Sequence, residues 1–311
     1  MKIAWLFPGQ GSQQVGMGRS LFDASAAARG VFAQADAALE RPLSQLCFDG
    51  PSEELTLTYN TQPALVATSS AIVAAIREQY PALSPPDYAA GHSLGEYSAL
   101  VAAGALALHD AVRLVELRGR AMQQAVPEGE GAMAAIVGGD RSAVAELCAA
   151  ARGEGVLEPA NFNAPGQVVI SGSRSAVRRA AELAPERKLK AILLNVSAPF
   201  HCSLMAPAAV RVEAALGDIA VAELTFPIVA NVTGEPNRDA DRVRELLVRQ
   251  IDRPVLWEQS VSLMAEAGVT HALEIGPGKV LAGLAKRIDK RIAVLNVSDP
   301  AGVAAIAEFL G

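Results

Sequence analysis

At 311 residues, 51% hydrophobic and 19% charged, the chain carries enough apolar material for a large core and falls outside the disordered class. Its net charge of −6 argues against nucleic acid as a partner, since that requires a basic surface to displace counterions from phosphates. Cys47, Cys148 and Cys202 are too scattered for a disulfide framework or a zinc site; no apolar run has bilayer length and Met1-Lys2 leads into a strand without a signal-peptide pattern, so a soluble, cytoplasmic protein with no membrane partner is expected.

Lys2-Ile3-Ala4-Trp5-Leu6-Phe7 predicts a first strand apolar enough for the inside of a parallel sheet, ended by Pro8-Gly9-Gln10-Gly11-Ser12-Gln13. The glycines invite a phosphate loop. The dinucleotide fingerprint, however, needs glycine where Gln14 stands, and a Walker A loop from Gly11 to Gly16 needs lysine where Met17 stands. What remains is a flexible loop at a strand's carboxyl end, where open α/β sheets put ligands. Helices are predicted from Leu21 to Leu39 and, after Thr61-Gln62-Pro63, from Ala64 to Ile76.

The next stretch, Tyr88-Ala89-Ala90-Gly91-His92-Ser93-Leu94-Gly95-Glu96, contains Gly91-x-Ser93-x-Gly95, the spacing of a nucleophile elbow. Such a motif alone is a weak signal in a glycine-rich chain. Here Tyr88-Ala89-Ala90 reads as a short buried strand before it, and Tyr97 to Ala103 as a helix after it, ending near Gly104. A helix N-terminus then stands behind Ser93, where backbone N–H groups favour an oxyanion.

His109-Asp110 opens a further helix. Ala111, Leu114, Val115, Leu117, Ala121 and Met122 form its apolar arc, and Arg113, Glu116 and Arg120 gather opposite. Arg118 falls inside the apolar arc, a costly place for a cation unless an anion pairs with it. A structural ion pair or a snorkelling stem explains that as well as a ligand does; proximity to a nucleophile favours the ligand.

From Gly129 the pattern is Met133–Val137 strand, Arg141–Ala151 helix, Val156–Ala160 strand, Gln167–Ser171 strand, Ser175–Leu183 helix and Leu189–Val196 strand. That order is the ferredoxin-like βαββαβ unit, an insertion that would overhang the Ser93 loop. Beyond it, Ser197-Ala198-Pro199-Phe200-His201-Cys202 offers a base. Among the chain's histidines, His92 adjoins Ser93 where neighbouring side chains diverge, His109 starts a helix and His271 precedes a strand. By elimination His201 is the base; no aspartate between Ser93 and His201 has a distinctive setting, so a carbonyl or amide is expected to orient it. Phe226–Asn231, Ala272–Ile275 and Ala293–Val297 are expected to complete the main sheet, with a turn at Thr233-Gly234 and helices at Asp241–Gln250 and Trp257–Ala267.

Phe7-Pro8-Gly9-Gln10-Gly11-Ser12-Gln13, Gly91-His92-Ser93-Leu94-Gly95-Glu96, Arg118-Gly119, the stretch from Ser197 to Cys202 and Glu274-Ile275-Gly276-Pro277-Gly278 together resemble the malonyl-CoA:acyl carrier protein transacylase family, in order and across essentially the whole chain. The resemblance implies an α/β fold: an α/β-hydrolase-like large domain with a parallel-sheet core at 1–127 and 198–311, and the ferredoxin-like small domain at 128–197. It implies Ser93 as acylated nucleophile, His201 as base, and Arg118 as partner of the malonyl carboxylate. It also implies the Gln10 and Leu94 N–H groups as oxyanion hole and the main-chain carbonyl of Gln250 as orienter of the histidine. His92, Asn161 and Asn163 are further substrate-side candidates, the asparagines resembling residues near the pantetheine arm.

Phe200 departs from the serine that many bacterial members carry before the histidine. A ring there disfavours an α-methyl branch, so malonyl over methylmalonyl is expected, by about 1–3 kcal/mol. The implied partners are malonyl-CoA and acyl carrier protein; the coenzyme A thioester is a substrate, no metal or redox cofactor is needed, and with no coiled-coil seam a monomer is expected. An acidic carrier protein calls for a local basic face, from Arg178, Arg179, Arg187, Lys188 and Lys190 or from Lys286, Arg287, Lys290 and Arg291. The implied pathway is fatty-acid synthesis. A stand-alone acyltransferase of a polyketide or malonate-decarboxylase system shares the motifs; a serine hydrolase and a noncatalytic docking subunit are the rivals from other classes.

Overall fold

The computed structural model describes residues 1–196 and 198–311, so Ser197 of the histidine motif lies outside the described residues. The strands are β1 (Lys2–Phe7), β2 (Tyr88–Gly91), β3 (Gly131–Val137), β4 (Leu157–Ala164), β5 (Gln167–Ser173), β6 (Lys190–Leu193), β7 (Ile228–Val229), β8 (Pro236–Asn237), β9 (Val269–Ile275) and β10 (Ala293–Val297). They form a larger sheet in the order β10-β9-β1-β2-β7-β8 and a smaller one in the order β4-β5-β3-β6.

In the larger sheet β1 is central and runs parallel to both β2 and β9, while only the β7–β8 pair is antiparallel. Ala4, Trp5, Leu6 and Phe7 are all buried, as expected of a strand covered on both faces. Phe7 pairs with Gly91, so the loops after β1 and β2 leave the sheet side by side at its carboxyl edge. The expected strand Phe226–Asn231 shrinks to Ile228–Val229. Pro227 has no N–H to give a ladder, although its carbonyl accepts from Ala89.

The smaller sheet is antiparallel, and its chain order is strand, helix, strand, strand, helix, strand. Alternation decides its faces. Ala134, Ile136, Val168 and Ile170 pack with Val144, Leu147, Val177 and Ala180 of helices Arg141–Ala151 and Arg174–Leu183, while Met133, Ala160 and Val169 face Leu194, Val196 and Phe200 on the other side. β6 ends at Leu193, short of the expected Val196, and β4 runs on to Ala164 through register shifts at Pro159/Asn161 and Phe162/Ala164. Beside these shifts Val255 N–H donates to Ala160 O and Phe162 N–H donates to Val255 O, tying β4 through backbone to the segment between helices Ala240–Asp252 and Trp257–Glu266.

Two helical expectations need correction. The stretch Leu21–Leu39 is two helices, Arg19–Ala24 and Ala26–Leu39, because Ser25 leaves helical geometry and its side chain accepts from the Ala28 N–H as an N-cap. The helix expected to start at Ala64 runs from Thr58 to Gln79 with Pro63 inside it. It is buried on nearly every side, and that packing outweighs the one hydrogen bond a proline removes. Among the described residues no helix is long and apolar enough to cross a membrane.

Helix Leu108–Gln124 lies against Thr58–Gln79 with Ala111, Leu114, Val115, Arg118, Gly119, Ala121 and Met122 buried. A Cβ on Gly119 would stand 2.7 Å from Tyr59 Cα and 2.8 Å from Tyr59 N, so the two backbones meet at this glycine. Intrinsic propensity favours alanine over glycine in a helix by about 1 kcal/mol. Here the clash is with main chain that has no room to turn aside. Gly119→Ala is therefore expected to lower stability by about 1–3 kcal/mol, read as a reduced urea midpoint at unchanged m-value; a stabilised variant would show that the helices separate without cost.

Candidate active site

The carboxyl edge of the larger sheet turns into the elbow. His92 N–H extends the ladder to Phe7 O at 3.0 Å, the chain reverses at Ser93 with φ 52°, and helix Gly95–Ala102 begins. A Cβ on Gly91 would lie 1.8 Å from the Gly95 carbonyl carbon, and one on Gly95 2.0 Å from Phe7 O. The flanking glycines are thus required by close approach of strand and helix, leaving Ser93 in the left-handed region that side chains rarely adopt.

His201 meets it from the loop after β6. Its backbone is also left-handed, φ 60°, and its Nε2 lies 2.7 Å from Ser93 Oγ. Its Nδ1 lies 2.9 Å from the main-chain oxygen of Gln250, near the end of helix Ala240–Asp252. A carbonyl accepts only, so Nδ1 carries the proton and the Nε2 lone pair faces the serine hydroxyl. Burial first, and the Arg118 charge second, push the imidazole down to about 3. The base is neutral at every physiological pH.

Arg118 is 1% exposed. Its Nη1 donates to Gln62 Oε1 at 2.8 Å, and its Nη2 donates to Gln250 Oε1 at 2.9 Å and to Ser93 Oγ at 3.1 Å. Every one of these partners is formally neutral, and Nε has no hydrogen-bond partner among the described residues. Burial lowers the guanidinium from its ordinary value. A cavity of about 200 Å³ opens above these groups, walled by Gln10, Leu94, Met122, Met133, Asn161 and Phe200 among others. The arrangement holds a serine that can be deprotonated, a base fixed in one tautomer, and a cation positioned for an acidic group on whatever the serine attacks.

The remaining candidates divide. His92 lines the cavity, packs on Trp257 and has Nε2 2.8 Å from Asn163 Oδ1. Asn161 is on the cavity wall. Asn163 is not: it stands behind His92, because its amide oxygen is spent on that ring. Cys202 is buried, donates to Pro199 O at 3.1 Å, and is pushed up to about 11, which makes it a packing residue beside the base. Of the two basic clusters, Arg179 donates to Ala151 O and Arg152 O, and Arg287 to Gln167 and Pro165 O, so neither guanidinium is wholly available. Among the described residues no group of three or more His, Cys, Asp or Glu is placed to hold a metal ion.

Sequence reasoning missed two supports. Asn231 is fully buried; its Oδ1 accepts from the Ser93 N–H at 2.6 Å and its Nδ2 donates to Gly91 O at 2.7 Å, pinning both sides of the elbow. The available signal was a polar amide closing the apolar run Ile228-Val229-Ala230. Gln62, read as part of a break, instead sits within a helix and holds Arg118.

Residues 4–302 match the acyl transferase domain family. The malonyl CoA-acyl carrier protein transacylase of Bacillus subtilis is 48% identical over 96% of this chain and 94% of its own length. The crystal structure of an acyl carrier protein S-malonyltransferase from Vibrio cholerae superposes with a TM-score of 0.95 at 45% identity, covering 98% of this chain and all of the other. A malonyl-transacylase solved with a type II PKS acyl-carrier protein matches equally well, with a TM-score of 0.95 at 44% identity over 99% of each chain.

Replacing Asn231 by alanine removes the partners of a buried carbonyl and of the Ser93 amide. Asn231→Ala is expected to cost about 1–3 kcal/mol in urea unfolding and to slow labelling of Ser93 by an uncharged organophosphonate. A variant as stable and as readily labelled as the parent would remove Asn231 from the elbow.

Proposed function

The chain belongs to the acyl transferase family, and from that premise we propose that it is a malonyl-CoA:acyl carrier protein transacylase that works through a malonyl ester on Ser93. Relatives 45–48% identical over nearly the whole chain are named for that activity. For this chain the supporting observation is the convergence of Ser93, His201 and Arg118 on one cavity.

In the first half-reaction His201 Nε2 takes the Ser93 proton as Oγ bonds to the thioester carbonyl carbon. The oxyanion faces the main-chain N–H groups of Gln10 and Leu94; the C–S bond then breaks and the departing sulfur receives the proton from His201. In the second, the phosphopantetheine thiol of the carrier protein gives its proton to His201 and attacks the ester, and Ser93 Oγ leaves and recovers it. Arg118 pairs with the malonyl carboxylate through charge-assisted hydrogen bonds. A hydrolase of neutral esters has no use for such a buried cation. Phe200, packed beside Met133 on the cavity wall, narrows the space at the α-carbon and favours malonyl over methylmalonyl. The hydrolase-like and ferredoxin-like descriptions of the two sheets, divided at 128–197, fit the strand orders, and supply to fatty-acid synthesis is the metabolic role proposed.

The burial and the Arg118 charge that push the base down to about 3 make it a poor proton acceptor. Part of that depression is the Arg118 charge, which a bound malonyl carboxylate offsets. The sign follows: the acid limb of kcat/KM, reporting free enzyme, lies below the ordinary histidine value, and the limb of kcat, reporting the complex, lies at higher pH. Coincident limbs, or a free-enzyme limb at the ordinary histidine value, would separate Arg118 from the base. Incubation with malonyl-CoA is expected to add one malonyl group by intact mass to the parent and none to Ser93→Ala. Arg118→Lys is expected to lower malonyl kcat/KM about 10- to 100-fold, the loss of one charge-assisted bond, and acetyl transfer much less.

A further inference from the structure

Ser93 sits in a backbone conformation that its own residue type resists, and both of its main-chain polar groups are held by side chains from remote segments. Its N–H donates to Asn231 Oδ1 at 2.6 Å, and its carbonyl accepts from Gln250 Nε2 at 2.9 Å. Those two residues meet at a single atom. Glu96 Oε2 accepts from the Asn231 main-chain N–H at 3.1 Å and from Gln250 Nε2 at 2.7 Å. Glu96 is 3% exposed, in the first turn of the helix behind the serine.

The consequence concerns the direction of an amide. Gln250 presents a donor at one end and an acceptor at the other, and nothing in its own shape chooses between them. Glu96 Oε2, which also takes the Asn231 N–H, and Ser93 O both accept, while the Arg118 guanidinium only donates, so Nε2 is turned to the two oxygens and Oε1 to Arg118 Nη2, 2.9 Å away. With the amide reversed, two N–H donors would face each other at Arg118 and two oxygens at Glu96. The same residue's main-chain oxygen orients His201.

We infer that Glu96 is a positioning residue for acyl transfer: one buried carboxylate oxygen fixes the Gln250 amide and the Asn231 main chain, and through them the Ser93 turn and the guanidinium that receives the acyl carboxylate. Its burial supports the inference. Desolvation pushes Glu96 up to about 7 in spite of the Gln250 and Asn231 hydrogen bonds and the Arg118 charge, so the carboxyl is held where solvation disfavours it. A residue wanted only for helix capping needs no such place. The inference rests on the transacylase reading for the identity of the acyl group, but not for the reactivity of Ser93.

The test uses Glu96→Leu, Glu96→Gln and Glu96→Asp, each checked for folding by circular dichroism, with two readouts: Ser93 labelling by an uncharged organophosphonate, and the ratio of malonyl to acetyl transfer. Gln retains one acceptor oxygen able to take both N–H groups, and is expected within about threefold of the parent on both. Leu is expected to lose labelling about ten- to hundredfold and to reduce the malonyl-to-acetyl ratio at least about tenfold, the scale of a small misplacement of reacting groups. Asp withdraws the acceptor by one methylene and is expected between them, which keeps the test open if Leu does not fold. A folded Leu variant with parental labelling and ratio overturns the inference, as does a Gln variant no better than Leu. A parent that labels at Ser93 but takes no malonyl group defeats the transacylase reading alone, and the labelling series still decides the role of Glu96.

Discussion

A guanidinium buried without a carboxylate against it is the constraint on which the rest of this structure depends. Arg118 is enclosed by neutral oxygens from Gln62, Gln250 and Ser93, and the nearest acid, Glu96, is reached only across the Gln250 amide. A cation so placed loses its hydration and receives only partial compensation. The deficit is what an acidic acyl tail can fill, and it reaches the reaction centre because Nη2 touches Ser93 Oγ. Selectivity and reactivity are consequently properties of the same few ångströms.

The elbow and the amide network solve a shared problem from opposite sides. Packing of β2 against the helix Gly95–Ala102 leaves no space for side chains at Gly91 and Gly95, and the serine between them is pushed into a left-handed turn. Such a turn costs about 1–3 kcal/mol and persists only where surrounding groups over-determine it. Asn231 and Gln250 do so from segments more than a hundred residues away. His201, in a left-handed turn of its own, is fixed by the Gln250 main chain, so nucleophile, base and cation share one support.

What could be read from the sequence was whatever local spacing encodes. The first strand, the elbow, the alternation of β3 and the anomalous place of Arg118 on an apolar helix face all follow from residues a few positions apart. The single helix drawn from Leu21 to Leu39 overlooked Ser25 as a cap, and Pro63 was given more authority to break a helix than its buried setting allows. Asn231 shows in the sequence only as a polar amide at the end of an apolar run, and Gln62 and Glu96 are illegible for a different reason: a polar side chain is ordinarily a surface residue, and only the approach of distant chain makes it a structural one. Gln250 was reached through family likeness, since its contribution to His201 is a main-chain oxygen that any residue type supplies. Asn163 illustrates the limit of that likeness, because its contact with His92 depends on how β4 is bent by its register shifts.

That bend in β4 has a mechanical meaning. By exchanging main-chain hydrogen bonds with Val255 on both sides of Asn161, the smaller sheet is stitched to the larger unit at the rim of the cavity rather than only through its two chain crossings. A clamshell opening would have to tear that seam. The seam lies beside Asn161 on the cavity wall, so the backbone that lines the cavity there is held by main chain from both units.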